Sequence, residues 1–114
     1  MQGAIRQSRA WAWQRISAAV LALCVLVHLG VIVYAVRGGL SAAAILGRTQ
    51  GSWGFAAFYG LFVLACAVHV PLGLANIARE WWGLGERAAL WFSRGAGLLL
   101  LWLGLRAVWS VVAA

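Results

Sequence analysis

The chain has no lysine and no aspartate, and among its 114 residues there are only two acidic side chains, two cysteines and one proline. Too few cysteines are present for an iron–sulfur cluster, and they do not form the clustered pairs of a zinc site. A glycine fingerprint for nucleotide phosphates is missing too, as is any pair of histidines at i, i+4. With one proline and no low-complexity stretch or internal repeat, the composition is not that of a disordered chain or a linker-joined array. Charge is scarce as well: 10% of residues carry it, whereas soluble domains hold about a quarter.

What remains is 65% hydrophobic, with a mean hydropathy of +0.92. Such a chain has the bilayer as its solvent. The composition and spacing predict a single all-α membrane domain over residues 1–114, with three transmembrane helices in an up-down-up bundle. The spans are expected over 16–36, 54–78 and 95–114, each long enough at about 1.5 Å per residue to cross a hydrocarbon core of about 30 Å. Backbone amides in lipid must be paired within their own segment, so runs of this length are helices rather than barrel strands.

Nine arginines give a formal charge of +7, which in a soluble protein would suggest nucleic acid as a partner. Their positions argue instead for a membrane topology and for no nucleic acid. Arg6, Arg9 and Arg15 precede the first span, and Arg79, Arg87 and Arg94 separate the second from the third. Only Arg37 and Arg48 occupy the remaining loop, so the excess places the N-terminus on the cytoplasmic side. Trp11, Trp13, Trp53, Trp81, Trp82 and Trp91 gather at expected span ends as headgroup anchors. The first span is too long for a signal-peptide core and is read as mature helix. Between Gly38 and Ser52 an outer loop is expected, with a turn of helix over 41–46.

Three ionisable residues fall inside the spans, and each is costly enough there to require a reason. Arg106 shares a face with Trp102 and Trp109, which explains it by snorkelling and a cation–π contact. His28 and His69 are either interhelical hydrogen-bond partners or metal ligands. Around His69, the positions Phe58, Phe62, Ala65, Gly73, Asn76 and Glu80 share its helix face, and Gly73 leaves a gap one turn below the imidazole. A haem fits such a gap; close helix packing is the alternative use of small residues there. Pro71 is expected to bend the second span. Counted from span ends taken as level, the two histidines differ in depth by about 5 Å, close enough to share one iron. Cys24 and Cys66 are expected to be free thiols that serve packing.

Two local patterns then carry a family resemblance. Gln14-Arg15-Ile16-Ser17-Ala18 opens the first span, and His69-Val70-Pro71-Leu72-Gly73 with Arg79-Glu80-Trp81 closes the second. Together they resemble the cytochrome b membrane-anchor subunits of succinate dehydrogenase and fumarate reductase. In that family a three-span subunit begins with Arg-x-Ser/Thr, and its second span carries His-x-x-x-Gly with an acidic residue eleven positions after the histidine. Departures are Trp11 at a position often held by serine, Gln14 for a histidine of one branch, Ala18 for glycine, and Trp81 for tyrosine. The resemblance implies that His69 is an axial ligand of haem b. It places Arg15 and Ser17 near quinone and haem propionates, with Glu80 and Trp81 bordering the quinone pocket.

On that resemblance the expected function is electron transfer to membrane quinone as the anchor subunit of a succinate:quinone or fumarate oxidoreductase in the cell inner membrane. Flavoprotein and iron–sulfur subunits would dock on the arginine-rich face, and a second anchor chain or an identical copy would supply the opposite haem ligand. Two rival readings stand beside it. One is a b-type cytochrome of another respiratory complex, using His28 and His69 on one haem; the other is a structural or transport membrane protein without haem.

Overall fold

The computed structural model describes residues 1–114 as four helices. They are α1 (Gln2–Gly38), α2 (Ala42–Thr49), α3 (Trp53–Glu80) and α4 (Glu86–Val112). Three of them, α1, α3 and α4, are long and apolar enough to cross a membrane. The chain is thus all-helical, as the absence of alternating apolar segments requires.

Two helices run well past the expected spans. α1 is continuous from Gln2, and its 37 residues give a length of about 55 Å, far more than a hydrocarbon core needs. Hydropathy marks where lipid begins, while a helix continues until something breaks it. Between Gln2 and Ile16 there is no proline, and the one glycine, Gly3, sits in the first turn. α4 likewise begins at Glu86 and passes through Gly95 and Gly97. The outer turn is a full helix, capped by Ser41, whose Oγ accepts from Ala44 N at 3.1 Å.

α3 is the central element, packing against α4 along most of its length and against α1 along part of it. Its seam with α4 is built of small residues. Ala78 and Ala89 are fully buried, Ser93 and Gly97 are buried, and a Cβ on Gly97 would lie 2.4 Å from Pro71 Cγ. A Cβ on Gly104 would meet Val63 Cγ1 at 2.6 Å. Without a driving force from water, helices in lipid associate through such close backbone approach. Pro71 adds a polar reason. It has no N–H to give to the Ala67 carbonyl, and that oxygen lies 3.3 Å from where a Gly97 Cβ would stand. The bare glycine lets the orphaned carbonyl face Cα–H groups of α4 instead of lipid.

α1 meets α3 through pairs that run in opposite order: Gln14 lies beside Gly73, Ser17 beside His69, and His28 beside Tyr59. This register corrects the depth expected for the histidines. His28 is level with Tyr59, about ten residues from His69 on α3, so the two imidazoles are separated by roughly 15 Å along the helix axis. The expectation had set Arg15 level with Arg79, whereas the register places Arg79 level with the Arg6–Arg9 turn.

At the other end, α2 ties the helix termini together. Arg48 donates to Gly39 O at 2.8 Å and stacks 5.8 Å from the Tyr34 ring, covering the C-terminus of α1. Thr49 Oγ1 donates to Val111 O at 2.8 Å, and Gly51 N donates to Val112 O at 2.8 Å. These bonds occupy carbonyls that the last turn of α4 leaves free.

Gly97→Ala should lower the thermal midpoint of the detergent-solubilised protein by an overpacking cost of about 1–3 kcal/mol. Gly30→Ala, where a Cβ meets nothing within 4 Å, should leave it unchanged or raise it slightly. Equal midpoints for the two variants would remove the α3–α4 seam as the source of stability.

Candidate functional site

The register gathers Gln14 and Ser17 of α1 against His69 and Gly73 of α3. Ser17 is 4% exposed, and its Oγ lies 3.2 Å from His69 Nδ1 and 3.1 Å from Gln14 O. A hydroxyl carries one proton. With that proton given to the Gln14 carbonyl, Ser17 accepts from His69 Nδ1–H. The imidazole is then the Nδ1–H tautomer, and its Nε2 keeps a bare lone pair.

That nitrogen has no partner within the chain, and it is not enclosed by it. The one enclosed side-chain polar atom without a hydrogen bond is Gln14 Oε1. His69 therefore presents an unused ligand atom at the helix surface, with its other nitrogen fixed by a neighbour. Ligating histidines are held in this way, because a hydrogen bond at one nitrogen orients the ring and raises the basicity of the other.

The notch beside Gly73 is narrower than the sequence pattern implied. A Cβ on Gly73 would lie 3.3 Å from Gln14 Nε2, so the Gln14 amide covers part of the space below the imidazole. Gln14 is half-buried, and its buried Oε1 gains no hydrogen bond by lying there. For a flat macrocycle, the residues would offer one ligand, His69, with the Gln14 amide over part of the space beside it. They do not fit as a pair, since His28 is roughly 15 Å away along the axis. The one-chain, one-iron use of both histidines is overturned by that distance. No group of three or more His, Cys, Asp or Glu converges in the fold.

Other predicted site residues are placed as follows. Arg15 is exposed, with its guanidinium 5.0 Å from the Trp11 ring, and stands at the level of Pro71–Leu72, within a turn of His69. Glu80 and Trp81 are exposed at the end of α3, roughly 12 Å further along the axis, and a single chain does not bring them to Arg15 and Ser17. The acidic residue that the fold does pair is Glu86, whose Oε2 lies 3.0 Å from Arg79 Nη1. Arg79 also donates to Asn76 Oδ1 at 2.7 Å. Arg106 stacks 5.2 Å from the Trp102 ring, as its spacing predicts, and both cysteines are free.

Sequence reasoning missed three partners. The His69–Ser17 bond depends on the α1–α3 register, which no periodicity within one helix reveals. Gln14 could have been found from its spacing to Ser17, which puts both on one helix face. Arg94 comes within about 4 Å of the level of Arg15 through the α3–α4 register, a relation that only the packed seam defines. No family model matches the chain, and neither a curated protein nor a solved structure is similar to it.

Ser17→Ala should free His69 Nδ1 and leave the ring in mixed tautomers, at a cost of about 1 kcal/mol for the lost bond. Nitrogen NMR of histidine-labelled protein reads this directly. A wild-type His69 protonated at Nε2 would refute the hydrogen-bond assignment.

Proposed function

We propose that the chain is a haem b-binding membrane-anchor subunit that carries electrons to quinone, of the succinate:quinone or fumarate oxidoreductase type, in the cell inner membrane. The observation that supports this reading best is the state of His69: Nδ1 is tied to Ser17 while Nε2 is unpartnered and not enclosed by the chain. A neutral imidazole in that tautomer is ready to ligate, and in hydrocarbon a vacant lone pair has no water to bind.

His69 would hold the iron from one side. Arg15 and Arg94, at nearly the same depth on the two flanking helices, offer permanent cations for the propionates of the macrocycle. When bound, the haem supplies one-electron transfer and the protein tunes its potential through the imidazole and the low dielectric. Ser17 keeps the ring oriented. Because its hydroxyl is engaged by His69 and Gln14, a quinone contact would fall to Arg15 rather than to Ser17. Glu80 and Trp81 stand with Arg79 and Arg87 at the arginine-rich end, where flavoprotein and iron–sulfur subunits would dock. A second anchor chain or an identical copy would supply a further ligand, since this chain has no second imidazole at that depth. The N-terminus lies on the cytoplasmic side by the arginine excess, which makes the three spans up-down-up.

One observation favours a second reading. Each histidine already bonds a neighbouring helix, His69 to Ser17 and His28 to Tyr59, as interhelical glue would. In that case the chain is a structural or transport membrane protein without haem.

Protein purified in mild detergent from haem-replete cells should show a low-spin b-type absorbance spectrum. It should be lost in His69→Ala and kept in His28→Ala, and gentle extraction should bring a flavoprotein with it. Full haem content in His69→Ala would exclude the axial role, and a haem-free wild type would favour the structural reading.

A further inference from the structure

Arg106 is the one permanent charge set deep within a long apolar helix, far from both bundle ends. The α3–α4 seam puts Pro71 beside Gly97 and Val63 beside Gly104. Continued to the start of α3, that register makes Trp53 level with a point about eight residues beyond Arg106, roughly 12 Å along the axis. In the other direction Arg94 is about 18 Å away. Side chains on a helix lean toward its N-terminus, and Arg106 does so: its guanidinium lies 5.2 Å from the Trp102 ring, one turn closer to Arg94. Instead of snorkelling toward the nearer surface, the cation is held near the middle of the span.

Nothing in the chain neutralises it there. The two acidic side chains, Glu80 and Glu86, both lie at the arginine-rich end, and Glu86 is engaged by Arg79 at 3.0 Å. From Glu86 to Arg106 the helix rises roughly 30 Å. A second copy, in either orientation, carries its carboxylates at the end of its own bundle and brings none to this depth. A lipid phosphate stays at the headgroups, where tryptophans such as Trp53 anchor, and the guanidinium points away from that level. The ring of Trp102 offsets part of the charge, but a face of a π-system does not satisfy five N–H donors.

The surface around the cation is open. Leu99, Trp102, Arg106 and Trp109 form one stripe of α4, and all four are exposed, the two tryptophans at 57% and 71%. An uncompensated guanidinium in hydrocarbon is costly, and a carboxylate is the group that its planar fork pairs with best. We propose that this face of α4 docks a transmembrane helix of a different protein, one carrying an aspartate or glutamate at mid-depth whose carboxylate pairs with Arg106 between Trp102 and Trp109. The pairing is independent of haem at His69.

Photo-crosslinking in native membranes tests this, with the full chain carrying benzoylphenylalanine in place of Leu99 and the adduct identified by mass spectrometry. The expected product joins the chain to one other membrane protein that has an acidic residue inside a span. Arg106→Leu, which lipid tolerates, should lower the adduct yield roughly five- to thirtyfold with helical content retained, while Arg106→Lys should keep most of it. An adduct with lipid alone or with a second copy, a partner without an intramembrane acid, a yield unchanged in Arg106→Leu, or equal losses in the leucine and lysine variants would each overturn the proposal.

Discussion

Hydrocarbon offers no hydrogen bonds, and that single constraint organises this protein. In water an unpaired imidazole nitrogen or carbonyl costs little because solvent completes it. In lipid every polar atom must be completed by the chain itself or by something the chain binds. The fold meets this demand nearly everywhere. The backbone closes on itself in helices, the end carbonyls of α4 take bonds from Thr49 and Gly51, and the Ala67 carbonyl freed by Pro71 faces the bare Gly97. The few atoms left over carry the functional reading for that reason.

The two histidines are opposite cases of one rule. Both bond a hydroxyl on the neighbouring helix through Nδ1, but the hydroxyls differ in what else they do. Ser17 also has the Gln14 carbonyl of its own helix to donate to, and with its proton there it accepts from His69; Tyr59 has no partner besides His28. In each ring the second nitrogen has no partner in the chain, so what the paired hydroxyl does decides which proton the imidazole keeps.

The arrangement also ties architecture to partners. α3 is buried on two sides by α1 and α4, while α1 keeps most of its surface exposed. His69 lies half-buried at the α1–α3 boundary. At one end of the bundle Arg6, Arg9, Arg79 and Arg87 gather at one level and make that end strongly positive. Gln14, whose amide covers the Gly73 notch without gaining a bond for Oε1, is the side chain that would have to turn aside on ligand entry.

The sequence by itself determined that the chain is helical, that three of its runs are long and apolar enough to cross a membrane, and that His28, His69 and Arg106 needed reasons to be there. These follow from composition and from the hydropathy of contiguous runs, which are properties local to each segment. It also brought out Gly73 and the Arg106–Trp102 pair, both legible within one helix turn. Only the tertiary structure decided which residue on one helix is level with which on the next. That register depends on how Gly97 and Gly104 nest against Pro71 and Val63, and on where α1 slides along α3, so it is a property of two surfaces at once. For that reason the separation of the histidines, their bonds to Ser17 and Tyr59, and the place of Gln14 in the notch could not be read from any single helix.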